Sequence, residues 1–421
     1  MRTCGLPPAA DALSIDQLML RLHENDQGLQ SRNVLEKYKE RVKGRPQWHT
    51  PSQQQPASES NNKSNTNSPH IDIQVLSLGQ QPKMSLTIRK VLIPTHGDPS
   101  VVTLTTSTLP NPSSSEVQLK TLYSSMGGSD ILMRQGIYPL QQKAPLTPGY
   151  TLIGRVYKNG SRAKKFNEGT LVACLCVYNG QATYSNQPEK HLVRVPEGVD
   201  LQQAVALVLD WSTAYGLAYR GAEITPGKRV FIHGLSGSVG YALLTFCKKQ
   251  GASVYGTAAA HNHAAVREAG ATPFVYTDKE WMGVMKAMGG AHVVYDALGF
   301  ASWDESWSIL SSDEGHLVGY GGNLNSLNGD KPRGNKLQIA KLLAKGMVPF
   351  CPYRTSFFYI DRDQKTYKPN LEALFEMLAK GEIKVPVRKV WRLEEVPEAH
   401  RVWAKGPGVG VVVVKVAEDG M

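Results

Sequence analysis

The segment RVFIHGLSGSVGYALLTFCKK, residues 229 to 249, begins as an apolar run, turns through Gly234, Gly237 and Gly240, and continues with Val239, Ala242, Leu243 and Phe246 on one helical stripe. A buried strand turning through glycines into a helix is the context that binds a nucleotide pyrophosphate. Gly237 lets the backbone approach the anion, Gly240 lets helix and strand close on each other, and the first N–H groups of the helix hold the charge. The spacing is G-x-x-G-x-x-G rather than G-x-G-x-x-G, so the flanking elements carry more of the reading than the glycines alone. The expected contacts are Gly234, Ser236, Gly237, Ser238, Val239 and Gly240.

About twenty residues beyond such a turn, a site built for a free ribose 2′-hydroxyl carries an acid. Here the next strand ends in Gly256-Thr257-Ala258-Ala259-Ala260, the first acid is Glu268, and His261, His263 and Arg267 precede it. This favours a 2′-phosphate, hence NADPH over NADH, with Thr257, His261 and His263 at that end. The plain alternative is a set of solvated residues opening the next helix.

The elements that must position these residues alternate. A helical stretch at 201–220, strands at 229–233 and 253–257, and helices to 249 and 269 imply a parallel, doubly wound sheet. Ahead of it, short β-type runs (RKVLIP, VQLKTLY, LIGRVY, TLVACLCVY) separated by Gly, Pro, Asn and Ser predict a mostly β domain from Leu86. One helix at 370–380 and strands at 389–392 and 409–416 follow, the apolar GVVVVKV reading as a buried strand. Residues 51–70, PSQQQPASESNNKSNTNSPH, hold almost no large apolar side chain and read as a disordered linker, with short helices near 18–22 and 34–42 ahead of it. Residues 1–83 as a whole read as a largely disordered extension, and Met84 as an alternative start.

Composition narrows the function classes. Residues 1–83 hold ten Lys and Arg against eight Asp and Glu, a balance of +2, so +9 of the formal +11 belongs to the remainder. A basic surplus there suits an anionic cofactor or substrate and is also compatible with weak nucleic-acid affinity, so by itself it decides nothing; nucleic acid is not an expected partner. Five cysteines with no CxxC encode neither a disulfide framework nor a cysteine-rich zinc site, and Cys174 and Cys176 read as buried thiols on one strand face. No run of about eighteen apolar residues occurs and the first ten residues lack a secretory pattern, so the expected location is the cytoplasm.

With these residues in view, the chain resembles the medium-chain dehydrogenase/reductase superfamily, and within it the zinc-independent quinone oxidoreductase and enoyl reductase branch. The likeness is carried over residues 84–418 by SDILMRQGIYP, LTPGYTLIGRV, STAYGL, VFIHGLSGSVG, VVYDALG and GEIKVPVRKVWRLEEVPEAH. It implies an α/β chain whose GroES-like β domain is split by a Rossmann domain: 84–208, then 209–343, then a return over 344–421. Zinc-using members carry a histidine where Tyr150 stands after Pro148-Gly149, and a cysteine in the region 124–128; both are absent, so no metal is expected. Gly128 stands where quinone reductases usually have Asn.

The resemblance also implies site residues. Tyr138, in RQGIYP, matches the tyrosine that enoyl reductases place near substrate, where a phenol donates to a developing enolate or supplies a proton. Thr213 either meets the diphosphate or caps its helix, Tyr276 touches the adenosine phosphate, and Leu298, Gly299, Gly319 and Tyr320 approach the nicotinamide end. Arg134 either attracts an anionic substrate or pairs with a surface acid, and Asp130 reads as a structural hydrogen-bonder. Trp211, Tyr353, Phe357 and Phe358 line an acceptor pocket or belong to the core. The expected activity is NADPH-dependent hydride transfer to a quinone or an enone or enoyl double bond, by a homodimer. The alternatives are an accessory enoyl reductase of secondary metabolism, whose substrate the segment GGNLNSLNGDKPRGN would help to choose, and a cofactor-binding traffic or RNA-binding relative with little turnover. Deleting residues 1–83 is expected to leave folding and cofactor binding intact, and loss of the thermal transition in that truncation would refute the domain reading.

Overall fold

The computed structural model describes residues 85–348 and 350–419, all within the unit Met84–Met421. The expectations for residues 1–83 lie outside the described residues. Strands β1 (Ser85–Leu92) and β2 (Thr103–Pro110) pair antiparallel in full register. They are followed by β3 (Glu116–Met126), helix α1 (Gly128–Arg134), β4 (Thr151–Asn159), β5 (Leu171–Leu175), β6 (Tyr184–Pro188) and β7 (Leu192–Arg194).

A long helix, α2, then runs over 201–221 and widens twice into π turns, at Leu207–Trp211 and Leu217–Gly221. The wide turns have their own partners. Ser212 Oγ donates to Leu207 O at 2.7 Å, Tyr367 Oη to Val208 O at 2.8 Å and Tyr295 Oη to Leu217 O at 2.9 Å, so carbonyls that a regular helix would engage are satisfied by buried hydroxyls.

The alternating region follows as β8 (Arg229–His233), α3 (Ser238–Lys249), β9 (Ser253–Ala258), α4 (His263–Glu268), β10 (Ala271–Val275), α5 (Glu280–Ala287), β11 (Val293–Asp296), α6 (Ala301–Ser308), β12 (His316–Gly319), α7 (Leu324–Asn328), α8 (Lys336–Gly346) and β13 (Arg354–Phe357). These strands form one parallel sheet in the order β10-β9-β8-β11-β12-β13. With β8 counted first, that is the 3-2-1-4-5-6 order of a dinucleotide-binding sheet, whose ligands lie beyond the carboxyl ends of the strands. Val230, Phe231 and Ile232 are fully buried, as a strand covered on both faces requires.

The expected domain boundary at 343 falls inside α8 and leaves β13 outside, although β13 completes the sheet. Its sequence, RTSF, has no apolar run because an edge strand is only half covered. After α9 (Tyr367–Ala379), strands β14 (Val387–Arg392) and β15 (Val411–Lys415) return to the first domain, giving a seven-stranded sheet ordered β14-β15-β3-β4-β5-β7 with β6 on β3. Helix α10 (Val396–Val402) lies between the two returning strands.

The outer strands of the parallel sheet are tied by His316, whose Nε2 lies 2.9 Å from Ser356 Oγ. Burial is the main cause that pushes this imidazole down to about 4, from 6.5. Between those values the unfolded chain binds the proton and the folded chain does not, so stability falls as pH drops through that window. His316→Gln, neutral throughout, is expected to flatten the fall of Tm between pH 6.5 and about 4; an unchanged slope would remove His316 as a source of acid sensitivity.

Candidate active site

At the carboxyl end of β8 the chain turns at Gly234, whose φ of +75° suits a glycine. Strand β9 holds the turn in place: Leu235 N–H donates to Thr257 O at 2.9 Å and Gly234 N–H to Thr257 Oγ1 at 3.3 Å. The first intrahelical bond of α3 is Tyr241 N–H to Gly237 O at 2.9 Å. The amides of Ser238, Val239 and Gly240 therefore precede it and open the anion-binding end of the helix. A Cβ on Gly240 would lie 2.1 Å from Gly234 O, and one on Gly256 would lie 2.0 Å from Ile232 O. Both positions are glycine because backbone occupies the side-chain space. Ser236 faces the returning chain, its carbonyl accepting from Gly410 N–H at 2.9 Å.

Thr257 is buried and serves the turn rather than an open surface. Val275 pairs with Ala258, so Tyr276 and the turn at 259–263 leave the sheet side by side. Tyr276 and His261 are exposed there, whereas the His263 ring is engaged, Nε2 lying 3.2 Å from Ala258 O. Buried Asn262 accepts from Gly408 N–H at 2.9 Å, closing this end against the segment that leads into β15.

The expected nicotinamide end is built around the fully buried Asp296 carboxylate. Its Oδ1 accepts from the amides of Leu298 at 2.7 Å and Gly299 at 3.2 Å, and its Oδ2 from the hydroxyls of Ser302 and Ser306, each at 2.7 Å. His233 Nε2 stands 3.0 Å from Ser306 Oγ. The Leu298 and Gly299 amides thus shape the turn. At Gly319 a Cβ would meet Leu342 at 2.8 Å and Trp303 at 2.9 Å, so its smallness seats core residues. Tyr320 N–H donates to Asp296 O at 3.1 Å, and burial pushes its phenol up.

Thr213 is buried in the middle of α2, which continues through it, so the capping alternative does not hold. Three residues before it stands Asp210, which sequence reasoning passed over. Burial raises its carboxyl to about 6 while the Ser238 hydroxyl acts against the rise. The signal for it was legible: one acid inside the apolar stretch AVALVLDWSTAYGLA. Asn323 and Asn335 were passed over as well. A Cβ on Gly128 would lie 2.5 Å from Asn323 Nδ2, and buried Asn335 donates to Gly321 O at 3.1 Å.

On the β-domain side, Tyr138 Oη donates to Tyr150 Oη at 3.0 Å, with the rings 5.8 Å apart and edge-on. Burial, the largest cause, pushes both phenols up, and Tyr178 and Tyr359 lie near enough to reinforce the shift on Tyr138. Asp130 is the structural bonder expected: it accepts from Gly127 N–H and Gly149 N–H, each at 3.0 Å, and burial raises its carboxyl to about 6. Arg134 is buried and donates to Gly97 O at 3.2 Å and His400 O at 3.3 Å, so it fastens loops, and the exposed Asp98 carboxylate lies near enough to attract it, in line with the surface-acid reading. Trp211 packs on Phe246, Tyr353 on Trp307 and Phe357 on Trp303. Cys174 and Cys176 are both buried, and burial pushes the Cys174 thiol up to about 12. Among the described residues no group of three or more His, Cys, Asp or Glu could hold a metal ion, and no helix is long and apolar enough to cross a membrane.

Comparison with known proteins places this geometry. Residues 113–205 match the alcohol dehydrogenase GroES-like domain and residues 269–414 the zinc-binding dehydrogenase family. The synaptic vesicle membrane protein VAT-1 homolog of Danio rerio is 24% identical over 316 residues, which span 72% of this chain and 64% of that protein. Quinone oxidoreductase 1 of Escherichia coli (strain K12) is 25% identical over 315 residues, 73% of this chain and 93% of that one. The crystal structure of Escherichia coli quinone oxidoreductase complexed with NADPH superposes with a TM-score of 0.68 at 23% identity, covering 78% of this chain and all of that one. The split β domain, the 3-2-1-4-5-6 sheet and these matches agree: the chain belongs to the medium-chain dehydrogenase/reductase superfamily, with quinone oxidoreductases among its relatives.

Proposed function

We propose that this protein is an NADPH-dependent reductase that delivers hydride to a quinone or to an enone or enoyl double bond. The observation that carries the reading is the turn from Gly234 to Gly240, with its backbone-filled glycine positions and open amides at the head of α3. A bound dinucleotide would supply the hydride; the chain must anchor the pyrophosphate, exclude water and place a proton. Ser238, Val239 and Gly240 bind the anion. Tyr276, His261 and the basic Arg267 are the residues of the adenosine end in this reading, and the stretch from Thr257 to Arg267 holds no carboxylate to oppose a 2′-phosphate. The Tyr138 phenol stays protonated because burial opposes its ionisation, and its one O–H, turned from Tyr150 to the acceptor's carbonyl oxygen, donates there as charge develops, with Tyr150 then donating to Tyr138 Oη. Tyr150, at 3.0 Å, holds that hydroxyl in place.

A second reading, a cofactor-binding protein with little turnover, takes its support from the VAT-1 homologs among the relatives. The cytoplasm and a homodimer complete the leading reading.

Consumption of NADPH against a panel of quinones, enones and 2-enoyl thioesters separates the two. Turnover is expected, and Tyr138→Phe is expected to lower kcat about a hundredfold; NADPH binding without reduction of any acceptor would hand the assignment to the second reading. The same assay run with NADH tests the missing acid, and a higher kcat/KM for NADH would overturn the 2′-phosphate argument. Gly240→Ala is expected to abolish cofactor binding and to cost about 1–3 kcal/mol of stability, measured by NADPH titration and thermal melting; parent-like binding would show that the close approach at Gly234 O does not matter.

A further inference from the structure

Helix α1 opens on Gly128, where there is no room for a side chain. A Cβ there would stand 2.5 Å from Nδ2, 3.0 Å from Cγ and 3.0 Å from Oδ1 of Asn323. The Asn323 carboxamide, arriving from the parallel-sheet domain, already fills the space. The stretch that carries it is fixed on both sides of the cleft: Asn323 N–H donates to Ala297 O at 3.3 Å, Leu324 N–H to Leu298 O at 3.0 Å, and Ser326 Oγ to Gln135 Oε1 in the β domain at 2.7 Å. Yet Asn323 Oδ1 is buried and has no donor among the described residues. A buried carboxamide oxygen left without a donor is destabilising, so an acceptor held in this way points to a donor that arrives from outside the chain.

Its position says which part of a ligand brings that donor. Asn323 follows the carboxyl end of β12, and β12 lies two strands from β8 in the sheet, about 10 Å away. A dinucleotide anchored by its pyrophosphate at α3 reaches that far with its nicotinamide nucleoside. We propose that Asn323 Oδ1 accepts a hydrogen bond from the nicotinamide nucleoside of the bound cofactor, and that Gly128 is a glycine so that this carboxamide can enter from the opposite wall. The inference rests on the cofactor reading above.

The test is equilibrium binding of NADPH and of 2′,5′-ADP, which lacks the nicotinamide half, to the full chain and to Asn323→Ala. NADPH is expected to bind the variant roughly tenfold more weakly and 2′,5′-ADP equally well. The double variant Gly128→Asn with Asn323→Gly, which offers a carboxamide to the same space from α1, is expected to regain most of the NADPH affinity. Equal NADPH affinity in parent and Asn323→Ala overturns the proposal. So does an equal loss for both ligands, which would mean that Asn323 only holds its loop. A parent that binds neither NADPH nor NADH overturns the cofactor reading, and this inference with it.

Discussion

The structure turns on the close approach of three backbone segments at the carboxyl end of β8. Gly240 brings α3 onto the Gly234 carbonyl, and Gly256 brings β9 onto the carbonyl of Ile232, each at a distance that leaves no volume for a methyl group. Close contact at both points aims the first turn of α3 out of the sheet and lets Thr257 reach across to the Gly234 and Leu235 amides. Anion binding by backbone amides depends on their direction, since partial charges weaken quickly with distance and angle. The glycines therefore set the chemistry of the site indirectly, through packing.

Around this turn the two domains also meet through polar contacts. The contacts are backbone and short polar side chains: Gly410 N–H to Ser236 O, Gly408 N–H to Asn262 Oδ1, and Ser326 Oγ to Gln135 Oε1. Gly410, at φ +99° and with a Cβ that would fall 1.8 Å from Pro386 O, is a position no other residue fills. Such contacts fix the register between the two walls of the cleft and keep polar groups along its floor.

Much of this was legible in the sequence because it is written in local patterns. The strand–glycine–helix unit, the alternation behind the parallel sheet, the buried thiols and the hydrogen-bonding role of Asp130 all follow from residues close together in the chain. What escaped was written in distance. Arg134 looked like a charge in search of an acid, and only the fold shows Gly97 and the carbonyl of His400 beside it. The packing of Trp303 and Leu342 against Gly319 is likewise invisible in the sequence. The meaning of Gly128 lies in Asn323, on the other domain, and no local pattern links them. Asp210 is the exception, a single acid inside an apolar helical run and so visible in the local pattern.

The helix at 201–221 has a further consequence. Its residues Ala204, Val205, Trp211, Ala214 and Leu217 lie in one continuous core that also contains Leu122, Ile153 and Val413 of the β domain and Val230, Ile232 and Val318 of the parallel sheet. The tyrosine hydroxyls that complete its wide turns come from β11 and α9, one from each side of it. The domains are distinct as architecture and share one core, so a lesion in either one reaches the helix on which both pack.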